Sequence, residues 1–131
     1  LREAHAAGLR LGIATTTTPE NVEALMSADL MALFERVGAG DTVPNKKPAP
    51  DIYLWVLRQL ALPAAACLAI EDSANGLKAS LAAGLATVIT PTDYTRNQDF
   101  SGALAVLPDL SRVAVPLLRR WHESAYASDK K

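Results

Sequence analysis

The chain has 131 residues, half of them hydrophobic and 21% charged, with a net charge of −1. That supports one domain, or part of one, with a real core, and gives no sign of a nucleic-acid-binding or membrane-surface protein. No apolar run approaches a membrane span, nothing resembles a signal peptide, and the single cysteine, Cys67, excludes an internal disulfide and fits a reducing cytoplasm.

The chain starts with Leu1 rather than Met, and "LREAHAAG" reads as the last turns of a helix stopped at Gly8, as in a piece of something longer. "LRLGIAT" follows as a short buried strand. In "TTTPEN", Thr18 suits an N-cap with Pro19 at the first helical position, which predicts a helix from about Pro19 to Ala28. "FERVGAGD" is a strand with a glycine-rich exit. "KKPAPDIYLWVLRQLAL" opens on two prolines and becomes a helix whose apolar stripe is Ile52, Trp55, Val56 and Leu60. "CLAI", Cys67 to Ile70, is the next strand. A helix from about Ala74 to Ala83 follows, stopped by Gly84. "LATVIT" and "ALAVL" are further strands, and "SRVAVPLLRRWHESA" is a last helix or irregular segment. No internal repeat or low-complexity segment is present.

Apolar strands alternating with helices predict an α/β fold, a Rossmann-like three-layer parallel sheet with helices on both faces. Residues 1–123 make this unit and 124–131 a disordered tail. In such sheets ligands bind beyond the carboxyl ends of the strands. Thr15 with Thr16, Lys46 with Lys47, and Glu71 with Asp72 all lie near strand ends. If the strands are parallel, the three pairs converge. Hydroxyls and backbone N–H groups bind phosphate oxygens, a lysine neutralises phosphate charge, and adjacent carboxylates bind a hard cation such as Mg2+.

"LGIATTTTPEN", "KKPAPDIY" and "IEDSANGLKAS", in that order, closely resemble the second, third and fourth motifs of the haloacid dehalogenase superfamily. The branch resembled is that of the sugar-phosphate phosphatases and β-phosphoglucomutase, and "DTVPNKKPAPDIY" with "CLAIEDSANG" is similar to phosphatases of Calvin-cycle operons that act on xylulose-1,5-bisphosphate. The resemblance covers about residues 1 to 110. It implies that Thr15 and the Thr16 backbone N–H bind the phosphoryl group. It implies that Lys47 is catalytic, bridging phosphate and nucleophile. Asp72, with Glu71, would hold the Mg2+ cofactor. The family reaction runs through an aspartyl-phosphate that water hydrolyses. The implied partner is a small phosphorylated substrate, with no nucleic acid or membrane, and the implied location is cytoplasmic with a plastid left open.

The first motif of that family is an Asp-x-Asp pair on the central strand. Aspartates here stand at positions 29, 41, 51, 72, 93, 99, 109 and 129, and no two are separated by a single residue. The nucleophile, its acid/base partner and the cap that follows them are therefore expected to be missing from this sequence, which reads as the C-terminal part of such a core. Without its central strand the sheet has two unpaired inner edges, which favours self-association. The chain alone is expected to be inactive as a phosphatase. A phosphomutase of the same branch and a non-catalytic remnant with a binding or structural role are the alternatives.

Plainer roles fit the same residues. Glu71 and Asp72 suit capping of the following helix, with Ser73 or Asp72 as the cap. Thr15 to Thr18 suit a polar turn, the lysines a solvated pair, and "GAGD" a turn. Asp51 suits a helix N-terminal charge, His5 and His122 surface positions, and Cys67 an inert core thiol.

Overall fold

The computed structural model describes residues 2–17, 20–21, 26–111 and 115–129. Short runs of two to four residues, mostly Ala, Ile and Val, become strands, because they are too short for a packed helix and carry β-branched side chains. In chain order the elements are α1 (Arg2–Ala6), β1 (Gly12–Ala14), α2 (Ala28–Met31), β2 (Arg36–Gly38), α3 (Asp51–Leu60), β3 (Leu68–Glu71), α4 (Ala74–Ala82), β4 (Ala86–Ile89), β5 (Ala105–Val106) and α5 (Val115–Asp129).

All strand pairs are parallel, as the alternation with helices predicts. They form two sheets rather than one: β1 with β2, and β3-β4-β5. In the first, Ile13 lies opposite Val37; in the second, Ile70 lies opposite Val88. Between the facing edges of β1 and β3 lies a mostly apolar cavity of about 660 Å³, walled by Gly12, Ala14, Leu68 and Ile70 with Val56 and Leu60 of α3 and Leu118 of α5. That break is the one expected of a sheet without its central strand. The core joins α3, β3 and α4 through Ile52, Tyr53, Ala69, Ala79, Ala83 and Leu85. Within it Ser80 and Thr87, both fully buried, share a hydroxyl–hydroxyl bond of 2.7 Å. Gly84, at φ +86°, ends α4 in the left-handed region where the sequence placed the stop.

Several boundaries differ from the sequence expectation. The helix expected over Pro19 to Ala28 falls largely on residues outside the described ones. The described α2 begins at Ala28, where the Ser27 side chain accepts from the Leu30 N–H. The buried stripe of α3 is Ile52, Tyr53, Val56 and Leu60. Tyr53 joins it, because the helix packs against β3 and α4 as well as under β1 and β2, and the expected Trp55 is half-buried with its ring beside Gly38. Strand β3 starts one residue late and takes in Glu71, since its ladder with β4 extends to the Glu71–Ile89 pair. The last helix is continuous from Val115 to Asp129, so residues 124–129, expected as tail, lie within it. Its N-terminus docks on α1, with the Val115 N–H donating to Glu3 Oε1 at 3.4 Å.

Candidate active site

The carboxyl ends of β1 and β3 build the site from two sides. Beyond Ala14 the chain keeps one more bond to β2, from the Thr15 N–H to the Gly38 carbonyl at 3.0 Å. It then folds back on itself: the Thr17 N–H donates to Thr15 Oγ1 at 3.1 Å, and the Gly40 N–H donates to the Thr17 carbonyl at 2.8 Å. These bonds fix the threonine turn over the strand end.

Lys47 reaches this turn from the loop before α3. Its ammonium donates to the Ala14 carbonyl at 2.9 Å and to Glu71 Oε1 at 2.5 Å, and lies 5.1 Å from the centroid of the Tyr53 ring. The Lys47 and Glu71 side chains are 13% and 8% exposed, so this is a nearly buried ion pair. The Tyr53 hydroxyl donates to the same Oε1. Burial, and then the negative charge of Glu71, push the Tyr53 phenol well above its ordinary value, so it is a permanent donor.

Successive strand residues point to opposite faces. Ala69 and Glu71 are therefore buried while Ile70 and Asp72 are exposed, and two adjacent carboxylates end in different environments. Ser73 is the cap of α4, accepting from the Gly76 N–H at 3.1 Å, which leaves the Asp72 carboxylate out of the capping role. The loop after β4 braces this corner. Thr95 Oγ1 donates to the Asp72 carbonyl at 2.6 Å, and Gln98 Oε1 accepts from the Ala74 N–H at 2.7 Å.

A polar pocket of about 490 Å³ results, lined by Thr15, Thr16, Lys47, Glu71, Asp72, Ser73 and Thr90 among others. Every residue singled out from the sequence as phosphate- or metal-binding lies on it. Lys46, the alternative lysine, is exposed and outside it.

A family model for haloacid dehalogenase-like hydrolases matches residues 1–84. The chain belongs to the haloacid dehalogenase-like hydrolases. It is 56% identical over 115 residues to protein CbbY of Rhodobacter capsulatus, covering 85% of this chain and 51% of that protein. It also resembles the crystal structure of CbbY from Rhodobacter sphaeroides in complex with phosphate, with a TM-score of 0.84 and 42% identity over 90% of this chain and 55% of that one. A crystal structure of a variant of the same protein in complex with xylulose-(1,5)bisphosphate aligns with TM-score 0.84 and 42% identity, over 89% of this chain and 54% of that one. The chain spans about half the length of these relatives.

For the metal such hydrolases use, the donors here are hard oxygens, which suits Mg2+. The set is partial. Among the described residues no group of three or more His, Cys, Asp or Glu side chains is placed to hold a metal. Glu71 Oε1 already accepts from Lys47 and Tyr53, while the Asp72 carboxylate faces the pocket from its exposed side. Asp72 thus offers an open carboxylate to a cation, while Glu71, with Oε1 bonded to Lys47 and Tyr53 and Oε2 against Gly76, braces the lysine instead.

The plainer expectations sort as follows. Asp51 sits in the first turn of α3 and accepts from Asn45 Nδ2 at 3.0 Å, a helix N-terminal charge as expected. Cys67 is half-buried and burial pushes its thiol up, which fits an inert thiol. His5 is exposed, but His122 is half-buried at the apolar cavity rather than on the open surface.

Sequence reasoning missed Tyr53, Gly76, Thr95 and Gln98. A tyrosine in an apolar helical stripe asks for a partner for its hydroxyl, and that signal would have found Tyr53. A glycine inside a helix costs about 1 kcal/mol against alanine and asks for a packing reason. At Gly76 that reason is the Glu71 carboxylate, which fills the space a Cβ would take, 2.0 Å from Oε2. Nothing local in "TDYTRNQ" marks Thr95 and Gln98, whose partners lie 23 and 24 residues away.

Proposed function

We propose that this chain carries the phosphate- and metal-binding half of a Mg2+-dependent phosphatase acting on small sugar phosphates, such as the xylulose-(1,5)bisphosphate in complex with the similar CbbY variant. The observation that carries this reading is the meeting of Thr15, Thr16, Lys47, Glu71 and Asp72 on one polar pocket at the carboxyl ends of two parallel sheets.

In this reading Thr15 Oγ1 and the Thr16 N–H donate to phosphoryl oxygens. The Lys47 ammonium has three protons and uses two on Ala14 and Glu71, leaving the third for the phosphoryl group. Its charge offsets that of the phosphate, and the Glu71 carboxylate keeps it aimed. Asp72 would hold Mg2+, which supplies further neutralisation of phosphoryl charge when bound, and Glu71, expected beside it as a ligand, is engaged with Lys47 and Tyr53. One open carboxylate leaves most of the coordination to water, so the affinity is roughly millimolar or weaker on the scale of thinly liganded cation sites. The route is an aspartyl-phosphate. No Asp-x-Asp pair lies in this sequence, so the attacking carboxylate belongs to a segment outside it, and the 131-residue chain alone does not turn over.

The test is hydrolysis of xylulose-1,5-bisphosphate and other sugar phosphates with Mg2+. It is run on the purified chain and on a fusion of the chain to the Asp-x-Asp-bearing half of a CbbY. Expected are no turnover by the chain, turnover by the fusion, and its loss with Lys47→Met. Turnover by the chain alone that Asp72→Asn abolishes would overturn the inactive-half reading. A fusion indifferent to Lys47→Met would overturn the site.

A further inference from the structure

We propose that Tyr53 is a positioning residue for the phosphate-binding lysine, acting through Glu71. This deepens the reading above and rests on Lys47 meeting the phosphoryl group. The ring of Tyr53 belongs to the core with Ile52 and Ala69, and the residue is 8% exposed. Its one polar atom donates to Glu71 Oε1, the same oxygen that accepts from Lys47. Lys47 also lies over the face of the Tyr53 ring at 5.1 Å, within cation–π range. Tyr53 thus touches both members of the ion pair, one by its hydroxyl and one by its π face.

The carboxylate has little freedom left. Its other oxygen, Oε2, lies against the backbone of Gly76 in the first turn of α4. Oε1 is therefore the oxygen through which Glu71 can be held, and a buried phenol is a fixed donor where an ammonium on a flexible stem is not. With the hydroxyl removed, one oxygen keeps a single mobile donor. The Glu71 side chain can then swing from its buried seat toward the pocket, and Lys47 follows it away from the Ala14 carbonyl. A tyrosine that was merely packed would leave the ammonium where it is when the hydroxyl alone is lost.

Tyr53→Phe keeps the ring and removes the hydroxyl. Two readouts on the isotope-labelled 131-residue chain test the proposal by NMR. The first is the Lys47 ammonium signal, which a held, partly buried ammonium shows through slowed proton exchange. The second is inorganic phosphate affinity, followed at the Thr15 and Thr16 amides. Expected for Tyr53→Phe are loss or broadening of the Lys47 signal and phosphate binding weakened about two- to tenfold, the span of one net hydrogen bond. In a Glu71→Ala background, where the shared acceptor is gone, the same substitution adds nothing further, because Tyr53 acts through that carboxylate.

An unchanged Lys47 signal in Tyr53→Phe overturns the proposal, as do effects that add independently to those of Glu71→Ala. Failure of the wider reading looks different: Lys47→Met would leave phosphate affinity unchanged, or the chain would bind no phosphate at all. The Lys47 signal then still decides whether Tyr53 holds the ammonium.

Discussion

Replacing Gly76 by alanine tests the buried side of the site by a sign. At an open helical position Gly→Ala stabilises by up to about 1 kcal/mol through backbone entropy and propensity. Here the added Cβ would stand 2.0 Å from Glu71 Oε2, 2.3 Å from its Cδ and 2.9 Å from its Oε1. A carboxylate at the end of a flexible stem could normally step aside. This one is tied by Lys47 and Tyr53, and its side chain is 8% exposed. Stepping aside breaks two bonds to a charged group, each worth about 1.5–3 kcal/mol. Less the propensity gain, the net is a loss of about 2–5 kcal/mol. Urea unfolding followed by circular dichroism measures it as a lower midpoint at unchanged slope. In a Glu71→Ala background the clash is gone and Gly76→Ala returns to neutral or stabilising. A single Gly76→Ala variant as stable as the parent, or more so, would refute the placement of Glu71.

Lys47→Met leaves the buried Glu71 carboxylate without its cation and with the Tyr53 hydroxyl still donating to it, and is expected to cost about 3–5 kcal/mol in urea unfolding, the usual penalty for stranding one member of a buried pair. Asp72 is exposed, so Asp72→Asn should leave stability within about 0.5 kcal/mol. The same substitution should weaken Mn2+ binding, read by electron paramagnetic resonance, by tenfold or more. Far from the site, hydrogen bonds from Arg10 hold the exposed Glu35 carboxyl below the usual carboxylate value. A depressed folded value means the contribution is present above the unfolded carboxylate pKa and is lost as pH falls through the folded one. The stability difference between the parent and Glu35→Gln should therefore shrink as pH falls from neutral through and below the usual carboxylate range, and shrink in high salt, because surface pairs are screened.

The sequence carried the strands, the order of elements and the residues of the pocket, because each depends on local pattern. Thr15 and Thr16 follow an apolar run, Lys47 precedes prolines, and Glu71 and Asp72 precede a helix start. What local pattern could not carry was the use of each group. Lys47 and Glu71 form one ion pair across 24 residues, and only the fold brings them together. The stripe of α3 was misread at one position for the same reason. Trp55 and Tyr53 are both aromatic and near the apolar face, and the choice between them depends on where β3 and α4 lie. The tail was read as a frayed chain end, yet residues 124–129 continue a helix whose start is anchored to α1.

The adjacent acids show why the pocket needs both of them. A strand turns consecutive side chains to opposite faces, so one of two neighbouring carboxylates must face inward. An inward carboxylate is tolerated only when paired and hydrogen-bonded, and Lys47 and Tyr53 meet that need at Glu71. The outward one, Asp72, is left open to the pocket. The pairing also joins the two sheets: one ammonium binds the end of β1 through the Ala14 carbonyl and the end of β3 through Glu71. Between those strands there is otherwise the 660 Å³ cavity. The contacts that aim Lys47 are thus the same ones that hold the two halves of the sheet in register at their carboxyl ends. Any change that frees Lys47 should loosen both together.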